Sequence, residues 1–192
     1  MICSGVCRFL LIYIPPKLGG HTERVSKILS FSMDRFGGGG SLSTLLHDVG
    51  KVGIPDGILF KPGRLEPEEY GVMKTHSRIG QDTSRKAQAH IGDDNFLSLE
   101  VDIAGHHHER WDGKGHPSGL KEDEIPFAAR IVAIADVYDA LVSPRVYKAA
   151  CSHEETMKYM IEGGGTQFDP ILTEVLGEQG EAFRKIRDTW EE

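Results

Sequence analysis

Histidine and aspartate recur at four places in this chain: His47-Asp48, His76, His107-His108 and Asp136. Each lies in or beside a segment that otherwise reads as an apolar helix, where an unpaired polar group is costly. A metal ion is the simplest agent that draws several imidazoles and carboxylates into one core. That donor mixture suits zinc, iron, manganese or nickel. The cysteines Cys3, Cys7 and Cys151 have neither the spacing of a structural cluster nor that of a disulfide framework, which fits a reducing cytoplasm.

Adjacent helical residues point about 100° apart, so His47 and Asp48 reach one site only near a helix end. An aspartate there can bridge two metals while the histidine binds one; the plain alternative is an exposed His beside an Asp that caps the next turn. Lys51 lies in a Gly-flanked loop, placed to reach a phosphate oxygen or a leaving group, or else is a solvated cation. His76 follows Met73 by three residues, on one helix face. His106, His107 and His108 cannot all share a face, so at most two bind metal from one helix end. Otherwise they form a polar terminus that the helix dipole favours. Asp136 interrupts the apolar run from Ile131 to Leu141, where a carboxylate is exposed, paired or metal-bound. Asp139 shares its face, so one of the two can bind metal while the other orients a histidine. Arg145 and Lys148 come just after that run, spaced to hold an anion or simply solvated.

The elements that must position these groups are helices. Val25, Ile28, Leu29 and Met33 keep a helical period, which Gly37 to Gly40 break. A short helix is expected from Ser41 to His47, then a loop from Gly50 to Asp56 and a turn at Lys61-Pro62-Gly63. Glu66-Pro67-Glu68-Glu69 reads as a helix start, the helix carrying Tyr70, Met73 and His76. Further helices are expected over Phe96 to His108 and Ala128 to Leu141, separated by an ordered Gly- and Pro-rich loop from Trp111 to Leu120. Ser152-His153-Glu154-Glu155 has capping-box spacing, and Asp169-Pro170 opens a last helix that ends in a charged tail. Strand signals are nearly absent, so the fold class is all-α. A chain of 192 residues suffices for one domain with a sizeable core. The net charge of -7 argues against a nucleic acid polymer or an anionic membrane surface as partner. The one apolar stretch near the start, Phe9 to Ile14, is far short of the ~20 residues of a membrane span.

Several stretches carry a resemblance. They are His47-Asp48-Val49-Gly50-Lys51-Val52-Gly53-Ile54-Pro55-Asp56, Lys61-Pro62-Gly63-Arg64-Leu65, His107-His108-Glu109-Arg110-Trp111-Asp112-Gly113-Lys114-Gly115-His116-Pro117, Ile125-Pro126, Ala135-Asp136-Val137-Tyr138-Asp139-Ala140-Leu141 and Phe168-Asp169-Pro170. In this order they resemble the HD-GYP family, a branch of the HD-domain metal-dependent phosphohydrolases, from about His21 to Leu176. The resemblance implies an HD-domain helical bundle with HD-GYP C-terminal helices. It divides the chain into an N-terminal remnant or linker (1–20), an HD-GYP domain (21–177) and a charged C-terminal helix end or tail (178–192). It implies a cytoplasmic phosphodiesterase that hydrolyses cyclic di-GMP to linear pGpG and onward to GMP, using two divalent ions, iron or manganese. The implied metal ligands are His47, Asp48, His76, His107, His108 and Asp136, with Asp48 as the bridge; His21 matches an upstream ligand. Asp48 and Lys51 match catalytic positions, and Arg145 and Lys148 match a substrate-binding pair.

Four departures stand out. The family's Gly-Tyr-Pro is Gly115-His116-Pro117, in a loop expected to shape substrate access or contacts with a diguanylate cyclase or other signalling protein. Lys17 stands where three-metal members carry a glutamate, which favours two metals. The stretch from His21 to His47 is shorter than in the family and holds the four glycines, which weakens the His21 assignment. Val146 replaces a proline. The competing reading is a catalytically inactive module that binds a cyclic dinucleotide or docks on a signalling partner.

Overall fold

The computed structural model describes residues 46–91, 95–144 and 149–189. His21, Arg145 and Lys148, the helices expected before His47 and the four-glycine run lie outside them. The regular elements of the described residues are all helices; apart from an isolated bridge between Gly164 and Phe168 these residues contain no strand, as the all-α expectation requires. A 3-10 turn, Val49–Gly53, leads into α1 (Asp56–Leu59), α2 (Pro67–Lys74), α3 (His76–Ile91) and α4 (Asn95–His106). A long loop with a second 3-10 turn, Glu122–Glu124, then leads to α5 (Phe127–Val142), α6 (His153–Glu162), α7 (Pro170–Glu178) and α8 (Gly180–Asp188).

Local chemistry explains the boundaries. The Glu69 carboxylate accepts the Glu66 backbone N–H at 2.7 Å, and Pro67 takes the first turn of α2, where no N–H partner is needed. At α6 the Ser152 hydroxyl accepts the Glu155 N–H at 3.1 Å while Glu155 accepts the Ser152 N–H at 2.9 Å, a reciprocal capping box. At α7 Asp169 accepts the Ile171 N–H at 2.9 Å, with Pro170 as first helical residue.

α5 is the spine. Ala128, Ile131, Val132, Ile134, Ala135, Tyr138 and Val142 are buried against Ile103 of α4, Met157 and Met160 of α6, Leu172 and Leu176 of α7 and Phe183 of α8. The fully buried Tyr138 hydroxyl meets His153 Nδ1 at 2.8 Å, so the core keeps a satisfied polar pair. None of the helices among the described residues is long and apolar enough to cross a membrane.

Two details differ from expectation. His76 does not ride on the helix of Met73: the chain breaks at Thr75 and His76 opens α3. Gly180–Asp188, in the stretch read as a charged helix end or tail, is a helix of its own whose Phe183 enters the core and meets Tyr138 edge-on at 5.1 Å.

Candidate metal centre

Four segments converge on one point: the 3-10 turn after His47-Asp48, the start of α3, the residues just after α4, and the middle of α5. Gly50 is what lets the first two meet. A Cβ there would overlap the His76 carbonyl and the Gly80 amide, so the turn lies directly on α3. His47, His76 and His107 are buried, with His47 and His107 at 0% and 2% exposure.

The Asp48 carboxylate sits at the middle. One oxygen, Oδ2, lies 3.4 Å from His47 Nε2 and is paired with the Lys51 ammonium. The other, Oδ1, lies 3.4 Å from His76 Nε2 and 3.9 Å from His107 Nε2. Nitrogens of His76, His107 and His108 all lie within 4.8 Å of one another. His108 Nε2 is 3.2 Å from His76 Nε2.

The outer faces of two rings are tied to backbone. His76 Nδ1 meets the Met73 carbonyl at 2.8 Å, and His107 Nδ1 meets the Ile103 carbonyl at 3.0 Å. A carbonyl only accepts, so each Nδ1 carries the proton and each Nε2 offers a lone pair to the centre. His107 Nε2 is buried with no hydrogen-bond partner. Such an arrangement, imidazole lone pairs and a carboxylate converging with the rings locked from behind, fits a divalent cation.

The electrostatics agree. Burial pushes the Asp48 carboxyl up, but Lys51 and His47 outweigh it and hold the group well below the carboxylate range. Burial holds His107 well below the usual histidine value, aided by His108 and His47. His108 is pushed down to about 4 by burial, against the opposing pull of Asp136. His76 is lowered by burial, with Asp48 opposing. Asp48 is therefore an ionised carboxylate beside the neutral imidazoles of His76, His107 and His108, the forms that bind metal. Asp136 of α5 acts electrostatically on both His107 and His108, so the structure brings the spine's carboxylate to the cluster. Asp139 is turned elsewhere and accepts from the Ser143 hydroxyl at 3.4 Å. His106 faces Gln81, whose amide meets its Nε2 at 3.1 Å, away from the centre.

Other residues hold the frame. The Glu109 carboxylate, buried, accepts the Ser118 N–H at 2.6 Å. Arg130 of α5 reaches Asp169 at 2.8 Å and Asp123 at 3.0 Å, and its guanidinium lies 5.5 Å from the Trp111 ring centre. Sequence reading quoted Glu109 and Trp111 only as motif letters, and Asp169 as a motif letter and a helix start. Arg130 carried no signal, because an Arg on a helix looks solvated until the loop closes over it.

The model of the HD domain family matches residues 15–172 of this chain. The chain belongs to the HD-domain family. Among curated proteins this HD-domain chain is 50% identical over 144 residues, 75% of its length and 29% of the relative's, to a cyclic di-GMP phosphodiesterase of Vibrio cholerae serotype O1. It is 41% identical over 142 residues, 74% of its length and 26% of the relative's, to the 3'3'-cGAMP-specific phosphodiesterase 2 of the same organism. The chain thus spans less than a third of these relatives. Among solved structures it shares the fold of Bd1817, a HDG"Y"P protein from Bdellovibrio bacteriovorus. That match has a TM-score of 0.59 and 20% identity, covering 90% of this chain and 52% of the other. The helical HD architecture read from the motifs is the one observed.

Proposed function

We propose that this HD domain is a metal-dependent phosphodiesterase that hydrolyses cyclic di-GMP in bacterial second-messenger signalling. The observation that carries the reading is the Asp48 carboxylate, whose two oxygens face different histidines at 3.4 Å. The 50% identity to a cyclic di-GMP phosphodiesterase supports the substrate.

In this reading His47, Asp48, His76, His107, His108 and Asp136 would hold two divalent ions, iron or manganese, with His21 the weakest member of the set. When bound, such ions supply activation of water at neutral pH and neutralisation of phosphoryl charge. The domain spans 21–177 and works in the cytoplasm.

The chain's own residues do the rest. Water oxygen bonds to phosphorus, the bond from phosphorus to the ribose 3'-oxygen breaks, and the departing oxygen takes a proton, leaving linear pGpG. The same cut on the remaining linkage gives GMP. The Lys51 ammonium, already drawn to Asp48, steadies charge on the departing oxygen. Arg145 and Lys148, three and six residues beyond the end of α5 at Val142, hold the substrate's phosphate. The Gly115-His116-Pro117 loop, with Pro117 exposed, offers the surface on which a diguanylate cyclase or another signalling protein docks.

The test is turnover by the purified chain loaded anaerobically with ferrous iron or with manganese, offered cyclic di-GMP and 3'3'-cGAMP separately. Linear pGpG from the first is expected. Cleavage of 3'3'-cGAMP alone moves the assignment to the mixed dinucleotide, which the 41% identical relative makes the rival substrate. Full metal content with no cleavage of either leaves a binding module.

A further inference from the structure

The loop after α4 does more than face outward. The Gly115 backbone lies so close to Glu109 and Arg110 that a Cβ there would collide with both. The His116 N–H donates to the His108 carbonyl at 3.2 Å, and Glu109 secures the Ser118 N–H at 2.6 Å. These contacts fold the loop back onto the end of α4. They set the His116 ring 5.0 Å from the His108 ring, centroid to centroid, with 35° between the planes.

His108 in turn lies 4.0 Å from His107 and 5.0 Å from His76, ring to ring. The cluster of imidazoles therefore continues one residue further than the ligands carried over from the family. His116 Nδ1 is buried and has no hydrogen-bond partner. A buried nitrogen left without a partner is costly, and it is the kind of group a cation satisfies. The tyrosine that the family carries at this position has no ring nitrogen to offer.

We propose that His116 is a further metal-binding residue of this centre, adding an imidazole on the loop side of His108. It flanks the close group of His76, His107 and His108, so the cation it takes is one shared with His108. Its chemistry is that of a neutral nitrogen donor. It strengthens binding of borderline ions such as zinc, cobalt or ferrous iron more than that of the harder manganese. The inference rests on the metal-centre reading above.

The experiment uses the full chain stripped of metal by a chelator and titrated with Co2+ alone. Ligand-field absorption and competition against a chromophoric chelator give the spectrum and the affinity. His116→Phe and His116→Tyr are expected to bind at least one Co2+ about tenfold more weakly, with an altered spectrum, while the circular dichroism of the metal-free proteins stays that of wild type. Mn2+ affinity should change less. His116→Gln, which keeps polarity without an aromatic nitrogen, should behave like the other two.

Unchanged Co2+ affinity and spectrum in all three variants overturn the role of His116. Asp48→Ala separates the two readings. Co2+ lost in that variant but unchanged in the His116 variants sinks this inference alone. Wild type that takes up no Co2+ sinks the metal centre with it.

Discussion

Lys51 has an ammonium with one strong attraction, the Asp48 carboxylate, and that same carboxylate is the one proposed to serve the metals. A cation so placed is held at the site without itself binding metal. Lys51→Met should therefore keep the metal content of wild type while lowering kcat by about 100-fold, the usual effect of losing one charge stabiliser. Metal analysis beside steady-state turnover checks it; metal lost in proportion to rate would make Lys51 a support for Asp48 instead. The ligand-type residues were legible in the sequence because imidazoles and carboxylates stand out in apolar helices. The carbonyls of Met73 and Ile103, which fix two of the rings, were not, because a backbone acceptor has no letter. His116 was legible as a departure but not as a neighbour of His108, since its place depends on how a loop returns.

At the scale of elements, the contact of the 3-10 turn with α3 decides whether His47-Asp48 and His76 meet. Gly50→Ala forces a methyl group into the His76 carbonyl and the Gly80 amide, which cannot both yield. The expected cost is about 1–3 kcal/mol of stability. Metal affinity should fall further than stability alone explains, because the turn must lift away from α3. Denaturant midpoints and cation titration on the same preparation measure both; a variant as stable and as tight-binding as wild type would show that the turn does not rest on α3. Helix existence was legible from periodicity, and the caps at Ser152 and Asp169 from their residue types. The break at Thr75 was not, because neither Gly nor Pro marks it. There the Thr75 N–H tightens onto the Val72 carbonyl at 3.0 Å, and the Met73 carbonyl serves His76. The helix at Gly180–Asp188 was hidden by its charge, since Phe183 and Ile186 are its main apolar contacts with the core.

Across the whole molecule, two buried features give the metal-free protein opposite pH responses. His107 and His108 stay neutral when folded but gain protons once unfolded below their ordinary value of 6.5, and His108 resists down to about 4. The unfolded chain then binds more protons, so this contribution makes stability fall as pH drops from about 6.5 toward 4. Glu100 has the other sign. It is 0% exposed on α4, neither carboxylate oxygen has a partner, and burial raises its carboxyl well above the ordinary 4.5. Folded, it keeps its proton where the unfolded chain releases it, so its contribution worsens as pH rises above 4.5. Glu100→Leu should therefore stabilise the protein at neutral pH by about 1–3 kcal/mol, with a smaller gain at pH 4. Chemical denaturation of both proteins across that range checks it, and a gain independent of pH would mean that Glu100 is already solvated. The loop that carries His116 adds a constraint of another kind. Its Trp111 and Asp112 amides bond to the Gln167 and Thr166 carbonyls at 3.2 and 2.8 Å, and Arg130 beneath Trp111 is anchored by Asp169. During synthesis every histidine of the centre emerges before those fastening residues. A nascent chain stalled after residue 144 would thus hold the whole imidazole set, yet lack the clasp that shapes its outer rim. Any cation held by such a stalled chain would therefore meet an outer rim not yet fastened.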